Sequence, residues 1–190
     1  TTPSFPPGHL GPFAGVNVPW LLKMQARQRR DHPFITWAPF EGDARVWTYG
    51  EFDNRVGALA AGLLKRGLKP GDTLLIHLEN CVEFLFAWFA CAQIGVVAVT
   101  TNARAAAGEL AYFADHSRAV AAITQPSLAG MLSEACPQLS WIAVTSHNVG
   151  AAPEVQDFPA KSEAFERLFQ EDSQRSSRPA DPYESCSIQF

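Results

Sequence analysis

The spacing of apolar residues changes along this 190-residue chain, and each change marks an element. Phe52, Val56, Leu59, Ala60, Leu63 and Leu64 recur at helical spacing and predict an amphipathic helix. Ahead of them, Thr48 and Glu51 stand at the separation of a capping box, in which each side chain satisfies the other's backbone N–H. Behind them, Lys65 and Arg66 fall in the last turn and Gly67 in the position that follows a helix end. Gly57 and Gly62 lie inside this period. No Lys-Ser/Thr pair follows Gly62, so they are read as helix residues and not as a phosphate loop.

The pattern then shortens. Lys69, Pro70, Gly71 and Asp72 make a turn, because Pro70 presets one backbone angle and Gly71 tolerates positive φ. Residues 73–78 form a short β-branched apolar run, the signature of a buried strand. Asn80 and Glu83 repeat the capping-box spacing, with Asn80 read as the N-cap of a helix over residues 82–94. That helix is apolar on nearly every side, with Phe84, Leu85, Phe86, Trp88, Phe89 and Ile94, and is expected to lie inside the protein. Gly95 closes it and residues 96–100 begin a second strand. Strand, helix and strand make a βαβ unit, with parallel strands and a right-handed crossover.

The alternation continues. A helix is expected over residues 109–114, ending near Asp115 and His116, with Ala106 as a weak N-cap because it has no side-chain acceptor. Residues 119–124 read as a strand, 126–135 as a helix and 141–145 as a further strand. Helices alternating with apolar strands predict an α/β fold: a parallel, doubly wound sheet flanked by helices. Before it, residues 20–30 read as a short helix with a basic end. Residues 34–38 and 45–47 read as a small N-terminal β-hairpin around Glu41, Gly42 and Asp43.

The outer segments differ in composition. Residues 1–19, rich in Pro and Gly, are expected to be an irregular arm, and 20–145 an α/β subdomain. Residues 146–185 are read as a linker containing a short helix over 161–169. Residues 186–190 start a strand that leads into a missing subdomain. The chain begins without Met and stops inside that strand, so both ends are expected to be cut.

Composition narrows the function classes. With 47% hydrophobic and 18% charged residues the chain is an ordinary globular one. A net charge of −4 and scattered Lys and Arg give no footprint for nucleic acid. No apolar run reaches the roughly 18 residues of a membrane span, and no signal-peptide pattern opens the chain. Cys81, Cys91, Cys136 and Cys186 show no metal-site or redox spacing and read as reduced thiols of a cytoplasmic protein. His9, His32, His77, His116 and His147 have no mutual metal spacing, and His77 is expected to be a hydrogen-bonded core residue. No G-x-S-x-G, H-E-x-x-H, Walker A or G-x-G-x-x-G pattern occurs, so no catalytic and no metal-ligating residue is assigned.

A family resemblance gives these features a context. Thr48, Tyr49, Glu51, Gly67, Gly71 and Asp72, followed by Asn80, Glu83, Gly95, Asn102, Glu109 and Leu110, stand in the order of motifs found in the adenylate-forming (AMP-binding) superfamily. That superfamily holds acyl- and aryl-CoA synthetases, luciferases and peptide-synthetase adenylation domains. The wording around residues 77–95 and 101–104 is most similar to the carnitine/crotonobetaine–CoA ligase branch. The resemblance covers residues 33–123 well. It implies the N-terminal portion of the large domain of an acyl-CoA synthetase-like fold.

It also implies a full-length parent that joins a small-molecule carboxylate to CoA, using ATP and Mg2+ and passing through an acyl adenylate. The phosphate loop and catalytic Lys of such a parent lie beyond residue 190, in the rest of the same chain. This stretch alone is therefore expected to be inactive and to bind none of these cofactors tightly. One site candidate remains, the loop Asn102, Ala103 and Arg104, which follows a predicted parallel strand. The resemblance sets it at the mouth of the CoA tunnel, where Arg104 would meet a phosphate; the plain alternative is a solvated surface arginine. Thr100 and Ala103 stand where relatives usually carry Pro, so a less rigid loop is expected. Two other readings are open: a stand-alone α/β binding or interaction domain, and a folded but functionless truncated product.

Overall fold

The computed structural model describes residues 16–39, 42–148, 158–170 and 184–190. Most of the expected arm and most of the expected linker lie outside them.

The first helix, α1 (Val18–Gln28), starts at Asn17, whose side-chain oxygen accepts the Trp20 N–H at 2.8 Å. The hairpin follows as expected: β1 (Pro33–Trp37) pairs antiparallel with β2 (Arg45–Thr48). An aromatic seam joins it to the body of the protein. Phe34 stacks on Tyr49 and meets Phe52 edge-on, and Trp47 meets Phe86 edge-on, with centroids 4.4–5.1 Å apart.

Helix α2 (Tyr49–Lys65) begins with the full capping box. Thr48 Oγ1 accepts the Glu51 N–H at 3.2 Å, and the Glu51 carboxylate accepts the Thr48 N–H at 2.9 Å. That backbone bond, then the bond to the Thr48 side chain, lowers the Glu51 pKa. The start of α2 touches the turn that follows α1: the Gly50 N–H donates to Arg30 O at 2.9 Å, an approach that leaves no room for a β-carbon.

The central βαβ unit forms as the sequence predicts. Strand β3 (Thr73–His77) leads to α3 (Val82–Ile94), Gly95 ends the helix at φ 76°, and β4 (Val97–Thr100) lies parallel to β3. Two expectations need correction here. Asn80 does not cap α3: the N-cap is Cys81, without a side-chain capping bond, and Asn80 is exposed. The helix starts one residue later than an Asn80 box requires, so Glu83 falls out of reciprocal reach. Nor is α3 wholly interior. Phe86, Ala87, Ala90 and Ile94 are buried, whereas Phe84, Leu85, Trp88 and Phe89 are half-buried against the same core.

Beyond β4 come α4 (Ala107–His116), β5 (Ala121–Thr124), α5 (Pro126–Ala135) and β6 (Ile142–Val144). At the start of α4 only half of a capping box exists. The Glu109 carboxylate accepts the Ala106 N–H at 2.8 Å, but Ala106 has no oxygen to return the bond.

The expected helix over 161–169 is corrected to a strand and a single helical turn. Strand β7 (Ser162–Ala164) pairs with β6, and a 3-10 helix covers Phe165–Leu168. Lys161 at φ 64° turns the chain into the sheet, and its carbonyl accepts the Ile142 N–H. Last comes β8 (Ser187–Gln189), which pairs with β4.

These strands form one six-stranded sheet in the order β7-β6-β5-β3-β4-β8, parallel at every pairing. Two apolar cores cover its faces. The larger joins α2, α3 and the 3-10 helix to Leu74, Ile76, Ala98 and Ile123. The other joins α4 and α5 to Leu75, Val99, Ala122 and Val144. Helices on both faces of a parallel sheet define the doubly wound α/β class.

Candidate functional site

Ligands of open parallel sheets bind beyond the C-terminal strand ends. Here one such crevice is closed. Strand order reverses between β3 and β5, where the Glu79 N–H donates to Gln125 Oε1 and Gln125 Nε2 donates back to Glu79 Oε2, both at 3.0 Å. The open space lies to the other side, past the ends of β3, β4 and β8: a cleft of about 850 Å³.

Each wall of the cleft comes from one element. Leu78 and Asn80 follow β3, and Phe84 projects from the first turn of α3. Thr100 to Arg104 follow β4, Gln189 and Phe190 end β8, and Trp37 with Pro39 close the hairpin side. Phe190 is fixed there: its N–H donates to Thr100 O at 3.3 Å and its ring stacks on Phe113 at 4.4 Å.

The three loop residues singled out in the sequence, Asn102, Ala103 and Arg104, all line this cleft. Asn102 Oδ1 accepts the Arg104 N–H at 2.9 Å, and Asn102 O accepts the Ala105 N–H at 2.9 Å. An Asn side chain bonded two residues ahead is a turn in its own right. These two bonds hold the loop, which was expected to be less rigid. Arg104 is exposed, and its guanidinium has no ion-pair partner among the described residues. Five donors in a planar fork, uncommitted and facing a cleft, suit a phosphate or carboxylate.

Sequence reasoning missed other lining residues. Asn80 was read as a helix cap and stands instead on the cleft wall. His77 lies just beneath, fully buried as expected, with Nδ1 2.9 Å from Thr101 Oγ1. Burial lowers its pKa to about 4, so the ring is neutral at neutral pH. Among the described residues no group of three or more His, Cys, Asp or Glu is arranged to hold a metal ion. No helix of the described residues is long and apolar enough to cross a membrane.

The sheet and its cleft define a doubly wound α/β domain with an open cleft at the strand ends. The chain belongs to the AMP-binding enzyme family, whose pattern matches residues 22–190. It is 32% identical over 122 residues to a crotonobetaine/carnitine–CoA ligase of Citrobacter koseri, covering 62% of this chain and 24% of that protein. Its fold matches that of a coronafacic acid ligase from Pectobacterium brasiliense, with TM-score 0.74 and 21% identity over 92% of this chain and 33% of the other. It also matches an acetoacetyl-CoA synthetase from Streptomyces lividans, with TM-score 0.78 and 19% identity over 90% and 27%. The chain thus spans a quarter to a third of the length of these proteins.

Proposed function

We propose that these residues are the N-terminal segment of an acid–thiol ligase. The full-length protein would convert a small carboxylate, ATP and CoA to acyl-CoA, AMP and pyrophosphate through an acyl adenylate. The observation that carries this reading is the uncommitted Arg104 on a cleft at the strand ends of an AMP-binding family sheet. In this reading the α/β subdomain takes in residues 20–145 together with β7, the 3-10 helix and β8, because all three join the same sheet or its core; the expected linker over 146–185 is therefore not a linker at residues 162–168.

The chain's own residues have a limited part in that chemistry. Asn102 fixes the turn, Ala103 lines the cleft beside it, and Arg104 offers its guanidinium to a CoA phosphate. ATP and Mg2+ supply the leaving group and the charge neutralisation of phosphoryl-type chemistry. The described residues fit neither, having no Gly-, Ser- and Thr-rich loop with Lys and no acidic cluster. The four cysteines are unpaired thiols, which fits a reducing cytoplasm.

The test is kinetic. The full-length protein should form acyl-CoA from ATP, and the 190-residue chain alone should give no ATP–pyrophosphate exchange. Arg104→Ala in the full-length protein should raise the KM for CoA roughly five- to twentyfold, equivalent to about 1–2 kcal/mol, and leave that for ATP nearly unchanged. Exchange by the short chain above a blank, or equal shifts in both KM values, would refute the corresponding part.

A further inference from the structure

A polar row crosses the sheet at the level of the cleft floor. In register, Ile76 pairs with Thr100, so His77 and Thr101 are the next pair along; on its other side His77 pairs with Thr124. Alternation puts His77, Thr101 and Thr124 on the face of Leu75, Val99 and Ala122, under α4 and α5. All three are buried. Thr124 Oγ1 donates to His77 O at 2.8 Å, and His77 Nδ1 meets Thr101 Oγ1 at 2.9 Å. His77 Nε2 has no hydrogen-bond partner among the described residues.

That last atom is informative. A buried polar atom without a partner destabilises the fold, and a leucine at this position would avoid the loss. Such a conflict between local chemistry and stability is expected where a residue has a further role. What His77 holds is visible in the loop. Asn102, Arg104 and Ala105 are bonded among themselves as one turn. The turn leaves the sheet at Thr101, whose N–H donates to Ile76 O at a long 3.3 Å and whose hydroxyl meets His77.

We propose that His77 is a positioning residue which, through the Thr101 hydroxyl, sets the Asn102–Arg104 turn and so the reach of Arg104 to a CoA phosphate. The statement about CoA rests on the ligase reading above; the statement about the turn does not. Histidine fits the role because one nitrogen of its rigid, fully buried ring reaches the hydroxyl.

Two measurements separate the claims. In the 190-residue chain, amide hydrogen exchange at Arg104 and Ala105 should speed up roughly tenfold in His77→Leu and in Thr101→Val. It should return towards the parent rate in His77→Asn, whose amide can occupy the Nδ1 position. Thr101→Val is isosteric and guards against a folding defect in the His77 variants. Unchanged exchange in Thr101→Val overturns the proposal.

In the full-length protein, His77→Leu and Thr101→Val should each raise the KM for CoA roughly tenfold, the equivalent of one hydrogen bond. The KM for ATP should stay within about twofold, and the double variant should be no worse than the poorer single one. CoA and ATP KM values that rise together, or single effects that multiply in the double, overturn the positioning of Arg104. Absence of any CoA thioester from the parent protein overturns the ligase reading and leaves the exchange result to decide the role of the turn.

Discussion

Replacing Gly62 by alanine should destabilise this protein, although the same change in an open helix would stabilise it. Gly62 lies in α2 where the 3-10 helix crosses it. An ideal β-carbon there would fall 2.6 Å from the Leu168 carbonyl carbon, 3.3 Å from its α-carbon and closer still to its oxygen. The obstacle is backbone and cannot rotate away. Several restraints keep it in place. The Gln170 N–H donates to Ala58 O at 3.0 Å, Lys65 Nζ donates to Gln170 Oε1 at 2.8 Å, and Arg66 pairs with Glu163.

Two limits bound the magnitude. Small shifts that relieve overpacking typically cost about 1–3 kcal/mol. Lifting the turn off α2 would expose Phe165 and Leu168, each 1% exposed, at about 1.5–3 kcal/mol apiece. Alanine returns about 1 kcal/mol of helix propensity. Net of that, the first route costs about 0–2 kcal/mol and the second about 2–5 kcal/mol, so the expected loss is about 2 kcal/mol, a urea midpoint lower by about 1 M. Gly130, in α5 with nothing within 4 Å of its would-be β-carbon, is the control and should gain about 0.5–1 kcal/mol as alanine. A Gly62→Ala midpoint equal to or above the parent's would show that the 3-10 helix does not rest on α2.

Two further outcomes concern capping and pH. Thr48→Ala should lower stability by about 0.5–2 kcal/mol because α2 loses its box, whereas Asn80→Ala should stay within about 0.5 kcal/mol; denaturation midpoints that reverse this order would refute the cap assignment. His77 binds a proton less readily folded, at about 4, than its ordinary 6.5, so its contribution is complete above pH 6.5 and is lost as the pH falls to about 4. That loss should approach about 3 kcal/mol and vanish in His77→Leu; equal pH dependence in parent and variant would contradict it.

The central βαβ unit, the hairpin and the α2 cap were legible because local chemistry decides them. Gly95 closes α3 with an αL residue, and Thr48 with Glu51 needs only a three-residue spacing. Asn80 has the same spacing with Glu83 and failed by one residue, because tertiary packing places the start of α3. The reason for Gly62 was hidden, since its neighbour Leu168 is remote in sequence. Strand β7 was hidden too: Ser162–Ala164 has no apolar pattern, and its pairing depends on Lys161 turning the chain at positive φ. That residues 102–104 form a loop on the cleft was legible from their place after a strand. The His77–Thr101 pair left only a faint sign, in that Thr101 and Thr124 follow apolar runs and His77 stands one residue from the end of its own.

The sheet order carries a consequence for synthesis and refolding. Strands β7 and β8 are successive in sequence yet occupy opposite edges, and β8 closes on β4 across a separation of 88 residues between Thr100 and Ile188. A chain leaving the ribosome can build β3, β4, β5 and β6 side by side well before β8 emerges. Through that interval the outer backbone of β4 stays unpaired, and an open strand edge recruits other chains. Closing so long a loop is also entropically slow. The vulnerable period is thus set by the time needed to make the residues between β4 and β8, and slowing translation over that interval would lengthen the nascent chain's exposure to aggregation.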